Sequence, residues 1–164
     1  MATKKKEPSY MILRRAFALY VKRDHITYWY GAKGQLLTEK TLDALIAAEP
    51  AHFSRYSESE LKRLKNEALG KIGYDCSGFV GACVGKMEWS GALWNDCVNK
   101  TTIAEGKAGS ILYKKGHVGI DIGYGYEMEI PTEGRTLEIW KNSERGFTGS
   151  GEFKTFDYSE ANAN

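Results

Sequence analysis

The spacing of apolar positions changes near the middle of the chain, from a helical repeat to the alternation typical of strands. In the first half, apolar residues recur every three or four positions and predict a helix from Ser9 to about Arg23 and two more within 36–70. In the second half, short alternating runs are separated by Gly and Asn, which predicts strands at 110–113, 117–122, 126–130, 135–140 and 153–158. Helices followed by such a meander predict an α+β domain.

Local signals indicate where the paired helices begin and end. The first is predicted over 38–48, because Pro50 follows and disfavours helical backbone before it. The second begins at a capping box that Ser57 opens, and it ends at Gly70. The tryptophan-rich segment 87–99 is predicted to be helical in part.

Composition and charge narrow the class of protein. The 164 residues are 42% hydrophobic and 12% aromatic, which suits one soluble domain with a sizeable core. A net charge of +2 lacks the strongly basic balance of a nucleic-acid-binding protein. The sequence shows neither an apolar run of membrane-spanning length nor a secretion signal, so we expect synthesis in the cytoplasm without a Sec signal and no membrane insertion.

The cysteines offer one candidate for chemistry. They are three in number, without CxxC or zinc-ligand spacing, so free thiols are expected and a metal site is not. Asp75 is a strong N-cap candidate and places Cys76 at the first position of a helix, where backbone amides and the macrodipole favour a thiolate. Ser77 and Gly78 are small and are expected to leave the sulfur open to a substrate. The alternative is a buried structural cysteine, which is the expectation for Cys83.

A cysteine nucleophile needs a base that is adjacent in space, and the strand predicted at 117–122 begins with a candidate. Strand alternation places His117 on the face opposite the apolar residues, between glycines that leave it free to face a cleft. A lone histidine in a strand is often structural, but in this chain His117 could act as the base for Cys76. His25 and His52 lie in less regular contexts.

A base of this kind usually needs a third polar group to hold its orientation. The strand predicted at 126–130 carries Glu127 and Glu129 on its polar face. A hairpin with a three-residue loop places Glu129 directly opposite His117, whereas a two-residue loop turns it to the other face. This geometry favours Glu129 over Asp121, which shares a strand with the histidine.

Two motifs, in this order along the chain, carry a resemblance to a known family: Asp75-Cys76-Ser77-Gly78-Phe79 and His117-Val118-Gly119-Ile120. They resemble the NlpC-type family of papain-like cysteine peptidases, which cut peptide stems of bacterial peptidoglycan. Glu129 falls where that family places its third polar residue. Upstream, Tyr28-Trp29-Tyr30-Gly31 is similar to the family's aromatic-glycine element, although core packing explains such a cluster equally well. The match covers about 26–31 and 74–158.

The resemblance implies a papain-like NlpC-type α+β fold, with N-terminal helices packed on a small antiparallel β-sheet. It implies Cys76 as the nucleophile, His117 as the base and then the acid, and Glu129 as the orienting residue. The expected reaction is hydrolysis of the γ-D-glutamyl–diamino acid bond through an acyl-enzyme, without metal or cofactor.

The resemblance also implies a substrate site lined by Tyr28, Asp75 and Ser77. Asp75 is expected to bind the free amine of a stem peptide, and Tyr28 to direct its hydroxyl at the acyl centre. A negative charge on Asp75 beside the sulfur opposes thiolate formation, so the base and the helix dipole must outweigh it.

The chain departs from the family pattern in two ways. The third residue, Glu129, is a glutamate in place of the commoner histidine, and the link before the cysteine is much longer than usual. We therefore expect a single catalytic domain over 1–164, with a helical insert at about 32–73 and disordered tails at 1–8 and 159–164.

Other functions stay open at this stage. An N-acetylmuramoyl-L-alanine amidase or an acyltransferase could use the same cysteine and histidine, because a fold does not fix its substrate. A non-catalytic cell-wall binding module is a second alternative. Without a signal, a phage or prophage endolysin is expected, acting on the wall after release through a holin-type route or from a phage particle. We expect a monomer whose partner is a peptidoglycan peptide.

Overall fold

The structure is a computed structural model that describes residues 5–162. The helices are α1 (Tyr10–Tyr20), α2 (Glu39–Ala48), α3 (Pro50–Phe53), α4 (Glu58–Ala68), α5 (Cys76–Val84) and α6 (Ser90–Asn95). The strands are β1 (Glu7–Pro8), β2 (Ile26–Tyr28), β3 (Lys33–Leu36), β4 (Ile72–Tyr74), β5 (Cys97–Thr101), β6 (Ile111–Lys114), β7 (His117–Gly123), β8 (Tyr126–Glu129), β9 (Glu138–Lys141), β10 (Gly149–Phe153) and β11 (Phe156–Asp157). None of these helices is both long enough and apolar enough to cross a bilayer.

The largest sheet has six antiparallel strands in the order β5–β10–β6–β7–β8–β9. Helices α1 and α5 pack against each other and against β7. The core between them fully buries Phe79, Ile111, Ile120 and Met128. Helix α5 is apolar on nearly every side because neighbours cover it all round. This confirms the predicted α+β class with N-terminal helices on an antiparallel sheet.

The segment at 32–73 is more than a helical insert. Its end strands, β3 and β4, join β2 in a three-stranded sheet of order β2–β4–β3, so strand pairing anchors it to the rest of the chain. Helices α2, α3 and α4 enclose a second apolar core that includes Trp29, Leu42 and Phe53. The predicted capping box opens α4, where the Ser57 side chain accepts from the backbone N–H three residues later.

The two ends of the described chain are held together. Strand β1 pairs in parallel with β11, and the carbonyl of Asn162 accepts a hydrogen bond from a loop amide. These contacts replace the disorder predicted for 1–8 and 159–164 over the part of both segments that the structure describes. Residues 1–4 and 163–164 lie outside the described residues.

Two strands of the large sheet were not predicted: β5, and β10 except for its last residue, Phe153, where the strand predicted at 153–158 begins. β5 follows α6 within 87–99, which is therefore only half helical as expected. β10 contains glycines that allow close packing: a Cβ on Gly149 would lie 3.2 Å from the Trp94 ring, and one on Gly151 would lie 2.8 Å from Cys97 Cβ. Glycines that suggest turns in the sequence therefore mark close approach within a strand.

The hairpin of β7 and β8 turns through two residues, not the predicted three. Tyr124 and Gly125 form the turn with φ of 57° and 79°, and Gly123 pairs with Tyr126 beside it. Two successive positive φ values are typical of the type I′ turn, whose twist matches that of paired strands.

A β-bulge in β7 then determines which side chains of β7 and β8 share a face. The register shifts between Gly123 and Asp121, so that Asp121 pairs with Glu127. The extra residue in β7 restores the face that a two-residue turn alone would have reversed. The prediction that Glu129 shares a face with His117 is confirmed, but the two lie diagonally and not directly opposite.

The turn leads to a stability prediction. Tyr124 is 90% exposed and has left-handed backbone, which costs a non-glycine residue roughly 1 kcal/mol and is easier for Asn. We expect Tyr124→Asn to raise the free energy of unfolding in urea by a few tenths to about 1 kcal/mol. The control is Tyr126→Asn in the adjoining strand, which should lower it, since Asn is a poor strand former. The same response from both variants would contradict this account of the turn.

Candidate active site

The candidate nucleophile lies at the start of helix α5. The carboxylate of Asp75 accepts a hydrogen bond from the Gly78 N–H at 2.6 Å, which confirms the predicted N-cap. Cys76 takes the first helical position and is 8% exposed. The sulfur is therefore fixed on a rigid element, at the end of the helix where the macrodipole favours negative charge.

Gly78 brings this helix close to the preceding loop. A Cβ at this position would lie 2.5 Å from the carbonyl oxygen of Ala32, far inside normal contact. The space beside the glycine is filled by backbone, in contrast to the open approach predicted from Ser77 and Gly78. The glycine is needed because α5 packs directly against the chain that leads into β3.

The base and the third polar group meet beside the cysteine. Nε2 of His117 lies 2.5 Å from Oε2 of Glu129, and the imidazole also lies near enough to Cys76 for that residue to raise the pKa of the histidine. Arg145 donates from Nε to the other oxygen of Glu129 at 2.5 Å. The structure thus brings Cys76, His117 and Glu129 together, and it adds an arginine that sequence reasoning missed.

Electrostatics favour the charged forms of this histidine and its glutamate. Burial disfavours an imidazolium at His117, but the hydrogen bonds and charges of Cys76 and Glu129 outweigh burial and raise its pKa to about 9. Burial likewise disfavours charge on Glu129, yet His117 and Arg145 hold its pKa below the ordinary value. At neutral pH the pair is therefore an imidazolium and a carboxylate.

A second glutamate lies next to this pair in a different state. Glu127 is fully buried, and its carboxyl group makes no hydrogen bond to any residue within 5–162. Burial, reinforced by the charge of Glu129, raises its pKa to about 9, so it is neutral at pH 7. The ring of Phe147 stacks on the His117 imidazole with 5.7 Å between centroids. Glu129 is therefore the glutamate of β8 that carries the charge.

The Asp75 carboxylate holds together several segments. Besides capping α5, it accepts hydrogen bonds from the Gly31 N–H at 3.2 Å and the Ser77 hydroxyl at 3.0 Å. The ammonium group of Lys33 lies 2.7 and 2.9 Å from its two oxygens and 2.6 Å from Ser77 Oγ. Lys33 offsets the negative charge that was expected to oppose the thiolate. Local sequence could not reveal it, because lysine and aspartate are 42 residues apart.

The three aromatic residues at 28–30 have different surroundings. Trp29 is 1% exposed and stacks on Phe53 inside the insert, so it serves packing. Tyr28 lies close enough to Cys76 for the thiolate charge to add to burial in raising the pKa of its phenol. Tyr30 stacks on His52 with 3.8 Å between centroids. Tyr28 and Tyr30 both lie near enough to Cys76 for its charge to raise the pKa of their phenols, and at Tyr28 this charge is the largest contribution after burial.

A buried glutamate joins the insert to the loop after β8. Glu133 accepts hydrogen bonds from the Tyr56 hydroxyl at 2.9 Å and from Arg55 at 3.0 Å, and it lies 2.6 Å from Nε2 of His52. His52 thus has a structural partner of its own. This junction borders the site, because the charge of Glu133 also contributes to the raised pKa of Tyr28.

The remaining cysteines are structural. Cys83 is fully buried and Cys97 is 5% exposed, and burial raises the pKa of each to about 12. All three cysteines are free thiols. Within residues 5–162, no group of three or more His, Cys, Asp and Glu side chains is arranged to hold a metal ion.

The Glu129 contact predicts a change in histidine titration. Glu129→Gln keeps the side-chain shape but removes the anion that stabilises the imidazolium, so we expect the pKa of His117 to fall from about 9. Titration of the imidazole carbons by NMR measures the shift. The matched control is Glu152→Gln, which neutralises a glutamate paired with Lys107 in another part of the sheet. An unchanged His117 pKa in the first variant would contradict the assignment of Glu129 as its charge partner.

Comparisons with known proteins bear on the fold. No protein-family model and no curated protein matches the sequence. The peptidoglycan hydrolase RipB from Mycobacterium tuberculosis has a similar structure, with a TM-score of 0.55 and 21% identity over 91% of this chain and 65% of that one. The Resuscitation Promoting Factor Interacting protein RipA gives 0.55 and 20%, over 88% of this chain and 61% of that one.

The extent of these matches differs between structures. The chain spans less than two thirds of the RipB and RipA structures. It covers 96% of the P60 domain of an antigen from M. avium subspecies paratuberculosis, with a TM-score of 0.57 and 15% identity over 91% of this chain. At these identities the likeness concerns the arrangement of helices and strands. The chain therefore has the papain-like NlpC/P60 fold that its two motifs predict.

Proposed function

We propose that the protein is a cysteine peptidase that hydrolyses peptide stems of bacterial peptidoglycan, at the γ-D-glutamyl–diamino acid bond. The observation that supports this most is the grouping of Cys76, His117 and Glu129: His117 Nε2 lies 2.5 Å from the Glu129 carboxylate, and Cys76 lies near enough to raise the pKa of the histidine. A thiol at a helix start, an imidazole near it and a carboxylate that holds the imidazole are the parts of an activated cysteine nucleophile. The similar fold of RipB, a peptidoglycan hydrolase, points to the substrate.

The first step forms an acyl-enzyme. The Cys76 thiolate attacks the carbonyl carbon, and a carbon–sulfur bond forms as the carbonyl oxygen takes up the negative charge. The carbon–oxygen double bond then re-forms, the negative charge on the oxygen is lost, and the carbon–nitrogen bond breaks. The His117 imidazolium gives its proton to the departing amine, so that a neutral amine leaves.

The second step releases the acyl group. Neutral His117 takes a proton from a water molecule as the water oxygen bonds to the thioester carbon. The carbon–sulfur bond then breaks, which regenerates the thiolate and the imidazolium and frees a carboxylic acid that loses its proton to water. Glu129 holds the ring through both steps, and Arg145 on its far oxygen keeps that carboxylate in place.

Two groups near the sulfur can act on the substrate carbonyl. The Cys76 backbone N–H belongs to the first turn of α5, whose amides have no acceptor within the helix, and we assign it as an oxyanion donor. The phenol of Tyr28, held protonated by burial and by nearby negative charge, can donate a hydrogen bond at the same centre. Both groups are neutral donors, which suits a transient negative oxygen.

The bond itself can be identified from released fragments. We expect wild-type protein to release fragments from purified peptidoglycan that end in a free γ-D-glutamyl carboxylate, as seen by mass spectrometry. Cys76→Ser should release none, while Cys83→Ala, which changes a buried cysteine of the same helix, should release the same set. Cleavage at the lactyl–alanine amide would make the protein an amidase. Absence of any thiol-dependent release would overturn the proposal.

Thiol chemistry gives an independent test. We expect iodoacetamide to modify Cys76 in the native protein and to abolish hydrolysis, while Cys83 and Cys97 react only after unfolding because their pKa values are about 12. EDTA should leave the rate unchanged, since each step uses groups of this chain. Peptide mapping of the alkylated protein identifies the modified residue. Loss of activity on chelation, or activity that survives modification of Cys76, would count against the mechanism.

A further inference from the structure

The Lys33 ammonium fills a position beside the nucleophile that has the chemistry of an amine-binding site. It lies 2.6–2.9 Å from three oxygens, two from the Asp75 carboxylate and one from the Ser77 hydroxyl. An ammonium group carries three donors, and here each has an acceptor. The two residues that hold it are the immediate chain neighbours of Cys76.

This occupancy leaves Asp75 little capacity for a further cation. Its Oδ1 already takes donors from Lys33, Ser77 and Gly78, and its Oδ2 takes donors from Lys33 and Gly31. A carboxylate offers about four lone-pair sites in all. The charge of Asp75 is also neutralised by an ion pair in which its side chain is only 11% exposed.

The lysine is held in this position by its own strand. Lys33 opens β3, pairs with Tyr74 of β4, and donates its backbone N–H to Oε1 of Gln35 at 2.5 Å. Tyr74 immediately precedes Asp75, so the strand pairing sets lysine beside aspartate. The lysine side chain is 34% exposed, and its ammonium group is held by the two residues that flank Cys76.

We propose that Lys33 takes the place of a substrate amine and thereby selects stem peptides whose N-terminus is acylated. A free N-terminal amine would have to displace the lysine from Asp75 or lie beside another positive charge, and both cost free energy. A stem peptide still joined to its glycan through the lactyl amide carries no such charge. This inference rests on the proposed function and replaces the expectation that Asp75 binds the free amine of a stem peptide.

The test compares two synthetic peptides that differ only at the N-terminus. One is L-alanyl-γ-D-glutamyl-diamino acid with a free amine, and the other is the same peptide N-acetylated. We expect the wild type to cleave the acetylated peptide with a kcat/KM roughly tenfold or more above that of the free-amine peptide, because like charges repel. Lys33→Met, which removes the charge and keeps the length, should reverse this preference by lowering KM for the free-amine peptide.

Two further variants separate selection from stability. Lys33→Arg keeps a cation beside Asp75 and should keep the preference for the acetylated peptide. Lys65→Met removes a surface lysine of α4 that pairs with Asp43 and should leave both rates unchanged. Thermal unfolding followed by circular dichroism checks that each variant is folded. The ratio of the two rates is the readout, because a general loss of folded protein lowers both rates equally.

The possible outcomes distinguish the two proposals. If the wild type prefers the free-amine peptide, or if Lys33→Met leaves the ratio within about twofold of wild type, Lys33 does not select and the inference is wrong. Cleavage of either peptide would still support the peptidase. If the wild type cleaves neither peptide and releases nothing from peptidoglycan, both the proposed function and the inference are wrong.

Discussion

The site depends on a single carboxylate that is kept almost out of water. Asp75 gathers donors from the loop before β3, from β3 itself and from the first turn of α5. A buried carboxylate is tolerated only when its oxygens are paired, so these segments are held together by the cost of separating them. The position of Cys76 therefore follows from charge pairing as much as from helix formation. Loss of one donor would disturb the neighbours of the sulfur as well as the charge beside it.

A second constraint is the repulsion between two buried glutamates of strand β8. Glu127 and Glu129 both lie fully buried on β8, and two ionised carboxylates so close together would repel strongly. The structure avoids this by holding one glutamate neutral and placing the other between His117 and Arg145. The imidazolium is then the favoured form of His117, and this cation lies near the Cys76 side chain.

The features that could be predicted from sequence are those encoded locally. The cap at Asp75, the capping box at Ser57 and the strand that begins at His117 each depend on residues a few positions apart, and each is present. The hairpin register could not be predicted, because a turn and a bulge together decide it and neither has a strong signature around Tyr124. The contact of Lys33 with Asp75 could not be predicted either, because the two residues are distant in sequence and meet only in the folded chain.

The pairing of β1 with β11 has a consequence for how the protein is made. Residues 7–8 meet 156–157, a separation that spans nearly the whole chain, and contacts of such long range form late because closing the loop costs entropy. The Tyr158 hydroxyl secures the same region by donating to the carbonyl of Gly109 at 2.8 Å. During synthesis, the helix and strands that carry Cys76, His117 and Glu129 leave the ribosome well before this closure is possible. The pairing of β1 with β11 can therefore form only after β11 has emerged.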